Sequence, residues 1–209
     1  MEHVELVDRI YLKVKQMIFD QVLEPGQKLI QEKLASELGV SRSPLLKALQ
    51  RLESELLVEQ IPRRGMYVKR VEIKEIRDIF QCRAVIEGLS AKLAAKNMTP
   101  QQVQMLKACF APFLNQAHIE VSEYAKADRL FHHQIMKWSE NAVILRLEIL
   151  NNIHLRAYQA GLLRPPSETL PEHFAIITAL EQKDGKKAET LMRQHIERSL
   201  AAIEADINK

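Results

Sequence analysis

Residues 24–58 read EPGQKLIQEKLASELGVSRSPLLKALQRLESELLV, and the order of breakers and apolar positions here decides how the first third of the chain folds. Glu24-Pro25-Gly26 is a break. Leu34, Ala35 and Leu38 then recur at the spacing of one helix face, which predicts a helix over residues 31–38. Gly39 stops it, because glycine takes up the left-handed backbone that closes a helix. Ser41 is placed to cap a further helix beginning at Arg42, and Pro44 is tolerated in its first turn. Leu45, Ala48, Leu49 and Leu52 give that helix its inner face.

Working outward, Val4, Val7, Ile10, Val14, Met17 and Ile18 form an apolar stripe that predicts an amphipathic helix over residues 4–22. Downstream, residues 57–61 have β character. They are followed by the turn Pro62-Arg63-Arg64-Gly65 and then Met66-Tyr67-Val68, which together read as a hairpin. Helix, helix, tight turn, helix and hairpin is a winged helix-turn-helix, expected over residues 1–72. Such a unit puts the first residues of its second motif helix against base edges in the major groove. Here those are Arg42, Ser43 and Lys47, arginine being suited to guanine O6 and N7. Ser41, Arg51 and the wing residues Arg63 and Arg64 are candidates for backbone contacts, with Gly65 allowing close approach.

The charge is placed to match. Residues 42–70 hold seven Lys/Arg against three Glu, a net of +4, while the whole chain carries +3 and the remainder is therefore −1. A basic segment in a balanced protein is the footprint of a phosphate-binding surface, although a solvated charged face has the same composition. With 46% hydrophobic and 27% charged residues, the chain has the composition of a folded globular protein, which argues against disorder. No apolar run approaches the ~20 residues that span a bilayer, so no membrane partner is expected. The charge-interrupted start lacks the apolar centre of a signal peptide, and a cytoplasmic location is expected. Cys82 and Cys109 show no metal or redox spacing and are expected to be buried free thiols.

From Ile73 onward the pattern is helical. Six helices are expected, over residues 73–97, 100–117, 120–139, 141–161, 169–183 and 185–207, with Thr99 and Ser167 as caps. They predict an all-α antiparallel bundle over residues 73–209, so the fold class is mainly α with a winged helix in front. Within it Asp128 and His132 are four apart, on one helix face and about 6 Å apart along the axis. With His173 and His195 they would make four ligands from three helices, a set suited to a divalent transition metal. From spacing alone, histidines hydrogen-bonded in a core explain the pattern as well.

At this point the chain resembles a known family. Residues 24–58 with RRGMYV at 63–68 and their flanks resemble the winged helix of the GntR bacterial regulators, usually PG-x-x-L-x-E-x-x-LA-x-x-LGVSR-T/S-P-V-R-E-AL-x-RL-x-x-x-GLV and then G-x-x-V. Two departures stand out. The family's V-R-E is Leu45-Leu46-Lys47 here, shifting the basic group one position and about 100° around the helix. The glycine before LV is Leu56.

QCRAVIEGLSAKLAA, ADRLFHHQIMKWSEN and EHFAIITALEQKDGKKAETLMRQHI are similar to the segments of the FCD effector domain, and six helices resemble its shorter, VanR-like branch. The resemblance implies a metal at Asp128, His132, His173 and His195, with zinc the first choice and nickel or iron alternatives. His133 points away from that face, and His3, His118 and His154 match no motif. It also implies a small carboxylate effector. Arg83 is the first candidate to hold the carboxylate, an ion pair with Glu87 being the alternative. Arg156 is a second candidate. Asn141 either lines the pocket or caps the helix that begins there.

The function expected is a ligand-responsive, homodimeric regulator that binds palindromic double-stranded operator DNA and is not an enzyme. The alternative is a metal-dependent hydrolase on a helical scaffold. It is disfavoured because no general base lies beside the ligands in sequence and the winged helix would be unexplained.

Overall fold

The computed structural model describes residues 2–70, 72–116, 118–146 and 164–207. It divides into two compact units, Met1–Val71 and Glu72–Lys209.

The first unit contains α1 (Glu2–Phe19), β1 (Lys28–Leu29), α2 (Gln31–Leu38), α3 (Arg42–Ser54), β2 (Val58–Ile61) and β3 (Gly65–Val68). Ile10, Val14 and Ile18 of α1 pack with Leu34 of α2 and with Leu45, Leu49 and Leu52 of α3 in one buried cluster. Gly39 closes α2 at φ 65°, and its amide donates to the carbonyls of Ala35 and Ser36. Ser41 occupies the N-cap of α3 in extended backbone without a side-chain cap bond.

β2 and β3 form the expected antiparallel hairpin, in register from Val58 opposite Val68 to Ile61 opposite Gly65. A strand not expected from the sequence, β1, pairs with the other edge of β3 and gives the order β1-β3-β2. Two residues are too few to show alternation, so β1 is visible only through its partner. The first helix ends before residue 22: Gln21 sits at φ 55°, which a continuing helix does not permit.

The second unit contains α4 (Ile73–Asn97), α5 (Pro100–Phe110), α6 (Val121–Trp138), α7 (Ala142–Leu145), α8 (Pro166–Glu181) and α9 (Gly185–Ile207). Thr99 caps α5 as expected, in a reciprocal box with Gln102. The expected helix over 100–117 instead gives way to a 3-10 turn, Ala111–Phe113, with Pro112 at its centre. Proline has no amide hydrogen and its ring collides with the preceding turn, so the α ladder stops there. Ser167 is not a cap. Pro165 holds the N-cap position at φ −62° and ψ 146°, and α8 starts at Pro166. A residue before proline is driven to extended backbone, and proline suits the first helical position.

Both cysteines correct the expectation of burial: Cys82 is exposed and Cys109 half-buried. Cys82 lies on the outward face of α4 with Val85 and Leu89, which are also exposed. The opposite face carries Ile76, Phe80, Ala84 and Ala91 inward, together with the fully buried Arg83 and Glu87. Among the described residues, no helix is long and apolar enough to cross a membrane.

Candidate functional site

Helices α4, α6, α8 and α9 of the second unit each set polar groups into an otherwise apolar buried stripe. On α6, Tyr124, Asp128 and His132 share the inward face with Phe131 and Ile135. On α8, Thr169 and His173 stand in line with Ile176 and Leu180. On α9, His195 lies beside Ile196 and Met192. Burying such groups is costly unless they are partnered, and the partners are specific.

The four groups singled out from the sequence meet. Asp128, His132, His173 and His195 each offer a ligand atom within 4.8 Å of all the others. Asp128 Oδ1 is 3.0 Å from His173 Nε2 and 3.8 Å from His132 Nε2. Both Nε2 atoms are buried, and that of His173 makes no hydrogen bond. Three imidazoles and one carboxylate converging on an interior point are a donor set for zinc, nickel or iron, whose bonds to imidazole are about 2.0–2.1 Å.

The outer nitrogens are each held, which the sequence did not reveal. His132 Nδ1 donates to Glu87, whose other oxygen takes Arg83 Nε at 2.5 Å. His195 Nδ1 donates to Glu172 at 2.7 Å, and Glu172 is also bound by Arg164 at 2.9 Å and Arg198 at 2.6 Å. Burial pushes the Glu172 carboxyl up, but the bonds from His195, Arg164 and Arg198 outweigh this and hold it well below the usual carboxylate range. Burial pushes His195 down, favouring the neutral imidazole that a metal needs. The third histidine, His173, meets the Tyr124 hydroxyl at 3.1 Å. Burial raises that phenol well above its ordinary value, so it keeps its proton. The His173 ring is stacked on Phe110 with centroids 4.4 Å apart and is flanked by Phe131 at 4.8 Å, which fixes its plane.

On the first unit, Ser41, Arg42, Ser43 and Lys47 are exposed at the start of α3, and Leu46 is half-buried. The residue shift therefore leaves the basic group on the solvent side of the helix. Arg42 pairs with Glu32 at 2.9 Å. Arg63 and Arg64 are exposed in the wing turn, Arg63 at φ 63°, and Gly65 follows at φ 101°.

Residues 6–68 match the gntR family of bacterial regulatory proteins, and residues 78–198 match the FCD domain. The chain belongs to the GntR family, with an FCD domain behind its winged helix. An HTH-type transcriptional regulator in an unstable DNA locus of Streptomyces ambofaciens is 30% identical over 190 residues, covering 90% of this chain and 80% of that one. The HTH-type transcriptional repressor RspR of Escherichia coli is 25% identical, covering 90% and 85%. In fold, the chain is similar to E. coli McbR/YncC, with a TM-score of 0.78, 23% identity and coverage of 97% and 98%. The chain is a transcriptional regulator, and the hydrolase alternative has no support among these relatives.

Within this GntR chain, several expected roles find other partners. The ion-pair alternative for Arg83 is the one present: its guanidinium is buried against Glu87. Asn141 Oδ1 accepts from the amides of Val143 and Ile144, the capping alternative. Arg51 donates to Asp8 at 2.9 Å and lies 3.8 Å over the Tyr11 ring, which gives it a partner inside the first unit. Arg156, the second effector candidate, lies outside the described residues, as does most of the helix expected over 141–161. Sequence reasoning missed Glu172 and Tyr124 as holders of the histidines, because their roles depend on which helices meet. Glu172 immediately precedes His173 in sequence yet serves His195.

Proposed function

We propose that this regulator is a homodimer that binds palindromic operator DNA in the cytoplasm and senses a small carboxylate at a metal-containing centre in its FCD domain. The observation that carries the reading is the convergence of Asp128, His132, His173 and His195, with ligand atoms within 4.8 Å of one another. A divalent transition metal, zinc first, would be held by those four groups and would supply a Lewis-acidic centre for a carboxylate oxygen. The chain's own part is to keep the three histidines turned inward, and to exclude water with Phe110, Phe131 and Ile135. Arg83 is assigned to holding Glu87 and through it His132. On the DNA side, Arg42, Ser43 and Lys47 would face base edges, while Ser41, Arg63, Arg64 and Gly65 would meet the backbone. A change in the effector domain would shift the dimer between geometries that fit or miss the paired half-sites.

The test is the metal content of the purified protein beside Asp128→Ala and His173→Ala. About one transition metal per chain, lost in both variants, supports the centre. A native protein purified without chelator and carrying no metal overturns it. The sensing role is checked by operator affinity with and without small hydroxy acids and dicarboxylates. If none of these alters affinity, the carboxylate assignment fails.

A further inference from the structure

Among the described residues, two of the three inward histidines have a carboxylate on Nδ1, which only accepts. His173 does not: a tyrosine hydroxyl both donates and accepts, so the 3.1 Å contact to Tyr124 alone leaves its proton unassigned. The rest of the chain of contacts assigns it. Tyr124 OH lies 2.8 Å from Thr169 Oγ1, and Thr169 Oγ1 lies 3.4 Å from the Pro165 carbonyl oxygen. That carbonyl cannot donate, and a threonine hydroxyl in a helix typically gives its hydrogen to the carbonyl four residues back. The single hydrogen of Thr169 then goes to Pro165, that of Tyr124 to Thr169, and the Tyr124 oxygen is left to accept from His173 Nδ1–H.

The other end of the ring agrees. Asp128 Oδ1 is 3.0 Å from His173 Nε2 yet outside the direction an Nε2–H would point, since that buried atom makes no hydrogen bond.

We infer that Tyr124 and Thr169 are positioning residues, a one-way hydrogen-bond relay ending at the Pro165 carbonyl that fixes His173 as the Nδ1–H tautomer. His173 Nε2 is thereby a bare lone pair facing Asp128, His132 and His195 before any ligand arrives. The value of this to a metal rests on the centre proposed above, but the tautomer itself does not.

The experiment uses full-length, metal-stripped protein with 15N-labelled histidine. A long-range 1H–15N correlation reads which ring nitrogen of His173 carries hydrogen, and titration with Zn2+ against a competing chelator reads affinity. In the wild type the hydrogen is expected on Nδ1. Thr169→Val keeps the tyrosine but frees its hydrogen to turn to His173, so the hydrogen is expected to move to Nε2. Thr169→Ser is expected to restore the wild-type state. Zn2+ affinity is expected to fall about 10- to 100-fold in Thr169→Val and in Tyr124→Phe, and to recover in Thr169→Ser. A wild-type Nε2–H signal, or a Thr169→Val spectrum identical to wild type, overturns the inference. A wild type that shows the Nδ1–H tautomer but takes up no Zn2+ overturns the metal reading and leaves the relay standing.

Discussion

Glu87 shows how much rests on one buried side chain. Its two oxygens serve Arg83 and His132, and both ion-paired side chains, those of Arg83 and Glu87, are only 2% exposed. Removing one partner of a buried pair typically costs about 3–5 kcal/mol, because the remaining charge keeps its desolvation penalty. Glu87→Ala is expected to destabilise by that amount in urea unfolding, whereas an exposed neighbour such as Lys92→Ala should change stability by less than about 1 kcal/mol. The cysteines give a test of a different kind. Burial pushes the Cys109 thiol up, and its Sγ is bound to the Met105 carbonyl at 3.3 Å. The thiolate is the reactive form, so Cys109 alkylation should stay slow at neutral pH and rise only above its ordinary range of about 8.5. Exposed Cys82 should be labelled first. Mass spectrometry after brief iodoacetamide treatment checks the order.

Among the elements of the winged helix, the turn after α3 carries local backbone strain. Leu56 stands where GntR relatives usually have glycine, and its φ is 56°. A left-handed L-residue costs about 1–2 kcal/mol, which glycine avoids while losing backbone entropy and the half-buried leucine contacts. Leu56→Gly is therefore expected within about 1 kcal/mol of wild type in chemical unfolding, unlike Leu52→Ala in the fully buried α3 stripe, where about 2–5 kcal/mol should be lost. The wing is read through its salt dependence. Arg63→Ala and Arg64→Ala should each weaken operator binding across sequences and reduce the log–log salt slope by about 1. Arg42→Ala should instead cost about 1–3 kcal/mol at a single operator position. Fluorescence anisotropy over a salt series separates the two behaviours. Arg51→Ala, tied to Asp8 and Tyr11, should appear mainly in stability.

For the molecule as a whole, the two units give a way to see the metal without assaying function. Zinc bound only to the folded second unit, at a hundred times its dissociation constant, would stabilise it by about 2.7 kcal/mol. Calorimetry should show one transition moving upward on zinc addition, and His173→Ala should abolish the movement. A wild-type transition unmoved by zinc would contradict the centre.

Periodicity was enough to read α2, α3, the hairpin and most of the helical second half, because each depends on neighbours three, four or two residues away. Spacing offered Asp128, His132, His173 and His195 as candidates, and the resemblance to the FCD domain is what implied them as a ligand set. Three features were not legible. Strand β1 is two residues long and exists through pairing with β3. The cysteines' exposure depended on which way the faces of α4, for Cys82, and α5, for Cys109, turned. The holders of the histidines, Glu87, Tyr124 and Glu172, come from three different helices and are 45, 49 and 23 residues from the rings they serve. A hydrogen bond across such separations has no sequence period. The amino-acid order thus determined the elements and the ligand candidates, which are local properties. Only the packing of α4, α6, α8 and α9 decided the proton on each ring and the partner of each buried charge, because those depend on atoms that folding alone brings together.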